Sequence, residues 1–79
     1  MQRFNAKRQQ LEAAREKYNR LMQEYNEETK KMYEIRYQGG NTQEQERKLE
    51  QKRREIEEQR KILQNQESEL QALMEEIRH

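Results

Sequence analysis

The chain has 79 residues, 42% of them charged and only 29% hydrophobic, with a net charge of +1 and a mean hydropathy of −1.78. That size allows one small domain. The absence of cysteine excludes disulfides and thiolate metal sites and fits an intracellular, not secreted, protein. No apolar run approaches the roughly 18 residues of a membrane span and no signal-peptide core follows Met1. A chain so polar either stays disordered or gathers its few apolar residues into one narrow stripe.

The first predicted element is a helix over about residues 2–38. Proline is absent, and Glu, Gln, Lys, Arg, Leu, Met and Ala dominate, residues that lose little side-chain freedom in a helix. Phe4, Leu11, Tyr18, Tyr25 and Met32 recur every seven residues. Their companion column is Lys7, Ala14, Leu21, Glu28 and Ile35. Unbroken seven-residue repetition is the pattern of a coiled-coil seam.

The second element is a turn at residues 39–41. Gly39 and Gly40 suit the left-handed conformation that closes a helix, and Asn41 or Thr42 can cap the next one, with Thr42 and Gln45 at capping-box spacing. Two glycines inside one continuous helix would instead cost roughly 2 kcal/mol relative to alanine.

The third element is a helix over about residues 42–78, with Leu49, Ile56, Leu63, Leu70 and Ile77 again seven apart. The expected companion column is Glu46, Arg53, Arg60, Glu67 and Met74. Folding the chain at the glycines pairs Phe4 with Ile77, Leu11 with Leu70, Tyr18 with Leu63, Tyr25 with Ile56 and Met32 with Leu49, and opposes Glu28 to Arg53 as a seam ion pair. Leu21 and Ala14 would then rest on the aliphatic stems of Arg60 and Glu67. On the outer faces, Glu16–Arg20, Glu27–Lys31, Glu44–Lys48, Glu50–Arg54 and Glu57–Lys61 have the i,i+4 spacing that supports helicity by about 0.2–0.5 kcal/mol each.

The expected fold is therefore all-α, a single antiparallel two-helix coiled-coil hairpin with room to pair into a four-helix bundle. Its abrupt helical ends suggest a piece of a longer coiled-coil protein. The rival is a straight parallel dimer, because the heptad phase runs through Thr42. That rod would measure about 118 Å against about 57 Å per hairpin arm, at ~1.5 Å per residue. It would, however, set Glu46, Arg53, Arg60 and Glu67 against their own copies.

Catalysis has no residues to run on. There is no Cys or Asp, one serine (Ser68) and one histidine (His79), so no nucleophile–base–orienter set can be assembled. Without an internal histidine, a carboxylate metal bundle also lacks its ligand pattern, and neither cofactor nor metal is expected. Residues 1–20 carry a basic cluster (Arg3, Lys7, Arg8, Arg15, Lys17, Arg20) that could meet the phosphates of a nucleic acid, but Tyr18 and Tyr25 belong to the seam column and are not free to stack on bases. A membrane-surface helix needs a broader apolar face than this stripe.

What remains is protein docking. Tyr33 and Tyr37, one turn apart near the tip, and Ile62 and Leu73 fall outside the seam columns and are the candidate partner contacts. Tyrosine at such positions is typical of interfaces. The open end adds Phe4, Leu70, Met74 and Ile77 to Leu73. The sequence thus points to a non-enzymatic structural or interaction module, serving self-association (a homodimer), partner docking or intramolecular regulation. The alternatives are a parallel dimeric spacer and, in another class, a nucleic-acid binder acting through the basic first segment.

Overall fold

A computed structural model of the protein describes residues 2–78 as two long helices folded back on one another: α1, Gln2–Tyr37, and α2, Gln43–Arg78, of 36 residues each. Neither contains glycine or proline, so nothing interrupts the backbone ladder over ten turns. A 36-residue helix is about 54 Å long, and the molecule measures 62 × 14 × 14 Å. It is a rod two helices wide, about half the length of an unbroken helix. Both helices stop one residue nearer their own middles than the sequence predicts, leaving residues 38–42 as the connection.

The connection is a Schellman closure. The Gly39 amide donates to the Arg36 carbonyl at 2.9 Å and the Gly40 amide to the Ile35 carbonyl at 2.8 Å, so two of the last carbonyls of α1 gain partners. Gly39 has φ +82°, where a side chain would cost roughly 1–2 kcal/mol. Gly40 is needed for a different reason: a Cβ there would lie 2.6 Å from Ile35 Cγ2 and 3.1 Å from the Ile35 carbonyl oxygen.

At the start of α2, the Gln43 amide donates to Asn41 Oδ1 at 3.0 Å and the Glu46 amide to the Thr42 carbonyl at 2.9 Å. The expected capping box does not form. The Thr42 hydroxyl, buried at 6% exposure, instead accepts from Arg36 Nε at 3.1 Å and donates to Glu46 Oε1 at 3.3 Å. Arg36 and Glu46 also pair directly. This three-residue clamp ties the two helices at the tip, and the Gln45 amide oxygen is left buried without a partner.

Along α1, both expected columns turn inward: Leu11, Ala14 and Met32 are buried, and Phe4, Lys7, Tyr18, Leu21, Tyr25, Glu28 and Ile35 half-buried. Along α2 the apolar column faces α1 as well, with Leu49 and Ile56 buried and Leu63 and Leu70 half-buried.

Its companion column is not the expected one. Glu46, Arg53, Arg60, Glu67 and Met74 are exposed, and the seam is completed by Gln45, Lys52, Gln59, Gln66 and Leu73. Either set flanks the apolar column, so periodicity alone does not choose between them. Desolvation does: the expected set would carry four charges into the seam, the observed one a single charge and three neutral amides, which are far cheaper to bury.

Leu73 lies in a groove with Arg3, Lys7 and Glu69. Ile77 is left 56% exposed. Among the described residues no side chain falls below 2% exposure, so the seam is one layer deep.

Candidate interaction surfaces

The seam's polar column decides how the helices are held. Gln59, 5% exposed, donates from Nε2 to the Ala14 carbonyl at 3.2 Å. Lys52 reaches from α2 to the Glu24 carboxylate. This replaces the expected Glu28–Arg53 pair: Arg53 points outward, with its Nε 4.0 Å from Glu50 on its own helix. The hydrogen bond that Lys52 donates to Glu24 holds its ammonium above the ordinary lysine range, reinforced by the charges of Glu24, Glu55 and Glu28 against a desolvation penalty. The same hydrogen bond, with the Lys52 charge and a smaller contribution from Arg20, holds the Glu24 carboxyl below the ordinary glutamate range. Glu28 thus takes part only through its field.

Lys7–Glu69 and Arg15–Glu67, the latter at 3.6 Å, join the helices toward the open end. Of the predicted intrahelical pairs, Glu44–Lys48 and Glu50–Arg54 come within 3.9 and 3.8 Å. Arg8–Glu12 adds one at 3.5 Å in the reverse order.

The candidate contact residues separate into two groups. Tyr33, Tyr37 and Ile62 stand out from the rod at 59%, 95% and 47% exposure. Leu73 does not: at 9% it is a seam residue, exchanged with Met74, which is 39% exposed. The exchange follows from the rotation of α2 that brings the glutamine column inward. At the open end, Leu11, Leu70 and Met74 line a shallow groove of about 390 Å³ bounded by Arg15, Glu67 and Glu75. Met22, also apolar and outside the predicted columns, is half-buried on α1.

Among the described residues no group of three His, Cys, Asp or Glu could hold a metal ion, and no helix is long and apolar enough to cross a membrane. His79 lies outside the described residues. Three cations of the basic first segment, Lys7, Arg8 and Arg15, already have carboxylate partners. Tyr18 and Tyr25 are half-buried along the seam. The chain matches no protein-family model, no curated protein and no solved structure.

Proposed function

We propose that this chain is a non-enzymatic structural and protein-interaction module, an antiparallel coiled-coil hairpin that acts inside the cell by presenting side chains to a protein partner or to a second copy of itself. The observation that carries this reading is the contrast between a seam that takes in most of the large apolar side chains and the few that stand clear of it. Tyr37 is 95% exposed and Tyr33 59% at the tip, with Ile77 56% at the open end. Tyrosine offers contact area at little entropic cost, which is why it recurs at binding surfaces. The clamp of Arg36, Thr42 and Glu46 directly beneath the tip gives those tyrosines a fixed platform.

The test uses the whole chain as bait in cell extract, beside a variant carrying Tyr33→Ala and Tyr37→Ala, with helicity checked by circular dichroism. A partner held by the wild type and lost by the equally helical variant is the expected result. Equal capture by both removes the tip from the proposal, and capture of nothing by either defeats the docking reading.

A further inference from the structure

Arg15–Glu67 and Arg36–Glu46 are cross-helix ion pairs on one edge of the rod. Between them, the same seven-residue positions are Met22 and Thr29 on α1 and Arg60 and Arg53 on α2. The middle of this edge therefore sets two exposed arginines against uncharged residues. Among the described residues Arg60 takes part in no ion pair, and Arg53 has only Glu50 at 4.0 Å. Beside them, Asn19, Met22, Asn26, Thr29 and Tyr33 follow on α1 at alternating spacings of three and four without a charge. In a chain that is 42% charged, such a stripe has the pattern of a second seam, and its core-like lack of charge is what interfaces share.

On the opposite edge, α2 carries a stripe with the same alternation: Glu55, Glu58, Ile62, Asn65, Glu69 and Ala72. Ile62 is 47% exposed at its centre, and every charge along it is negative. Within the hairpin Glu69 pairs with Lys7 of α1, while Glu55, Glu58 and Ile62 are exposed.

We propose that these two edges bind each other between copies: the acidic Ile62 stripe of one hairpin lies along the uncharged α1 stripe of the next. Ile62 covers Met22, and Glu55 and Glu58 meet Arg53 and Arg60. This rests on the interaction-module reading above and names its partner as a second copy. The occupant follows from charge, because a carboxylate-edged helix with one exposed apolar residue complements an uncharged stripe edged by arginines. The two surfaces lie on opposite edges of one molecule, so the contact is head-to-tail. It leaves a free edge at each end and continues into chains of hairpins instead of closing as a two-fold dimer.

Sedimentation velocity and light scattering on the purified full chain, over a concentration series at low and high salt, read this directly. The wild type should pass from monomer to species beyond dimer as concentration rises, and salt should weaken the series. Arg53→Glu with Arg60→Glu, and separately Glu55→Lys with Glu58→Lys, should each weaken association about tenfold or more while leaving the helical signal intact. An equimolar mixture of the two variants should assemble again, since each supplies the sign the other has lost. A wild type that stays monomeric, one that closes as a dimer, or variants whose mixture stays apart overturns the proposal. A monomeric hairpin that still captures a partner as bait overturns self-association alone; one that does neither overturns both readings.

Discussion

Replacing Gln59 by leucine should stabilise the hairpin, although it removes the hydrogen bond to the Ala14 carbonyl. Gln59 is 5% exposed, so a leucine there is buried almost completely, a change worth roughly 1.5–3 kcal/mol. The lost hydrogen bond contributes about 0.5–1.5 kcal/mol net. It leaves no orphan on α1, because a carbonyl inside a helix is already bonded to the amide four residues on. The balance is a gain of about 1 kcal/mol, or roughly 4–8 °C in melting temperature for a chain of this size.

The control is Arg60→Leu, one residue along and exposed, which should change stability by no more than about 0.5 kcal/mol. Urea and thermal unfolding followed by circular dichroism at low protein concentration separate the two. A stabilised Arg60→Leu beside an unstabilised Gln59→Leu would show that the arginine column lies in the seam, and would refute the rotation of α2 described above.

The turn makes an ordered pair of predictions. Gly40→Ala should cost about 1–3 kcal/mol by crowding Ile35, and Ile35→Ala in the same chain should recover part of that loss in unfolding experiments. Gly39→Ala meets no neighbour and should cost only the roughly 1–2 kcal/mol of left-handed backbone, with Ile35→Ala giving no relief. The Glu24–Lys52 pair sets a pH window. Glu24 has its folded pKa depressed, so its contribution is full above the unfolded value near 4.3 and is lost as pH falls through the lower folded one. Lys52 has its folded pKa raised, so its contribution is full below about 10.4 and is lost as pH rises through the higher folded one. Urea midpoints measured across pH should therefore fall less at both extremes for Glu24→Gln than for the wild type; superimposable profiles would show that the pair does not couple to folding.

The hairpin was legible because its signals are local. The uninterrupted column Phe4, Leu11, Tyr18, Tyr25, Met32 specifies the inward face of α1, and Gly39-Gly40 has only one economical use between two helices. The face of α2 was harder. Leu49, Ile56, Leu63, Leu70 and Ile77 have a candidate companion on each side, and the choice rests on what each side loses on leaving water. Leu73 against Met74 and Gln59 against Arg60 were the available clues: one column holds a single charge and ends in a leucine, the other holds four charges. Once the glutamine column is placed inward, the heptad phase no longer runs unbroken from Ile35 through Thr42. Ile35 ends a three-residue step from Met32, and Thr42 begins another to Gln45, so the apparent continuity came from following one column only. Lys52 and Glu24 could not be matched in advance, because choosing the arginine column places Lys52 outside the seam.

The one-layer seam also sets how the rod responds to force. The start of α1 and the end of α2 lie side by side at the open end, so tension drawn between them acts across the seam, not along it. The layers then part in succession from the open end, each carrying the full load alone, until the strain reaches the clamp of Arg36, Thr42 and Glu46. Tension applied between the tip and the open end instead runs along the helix axes and loads both backbones together. The same fold is thus a soft zipper in one direction and a stiff strut in the other.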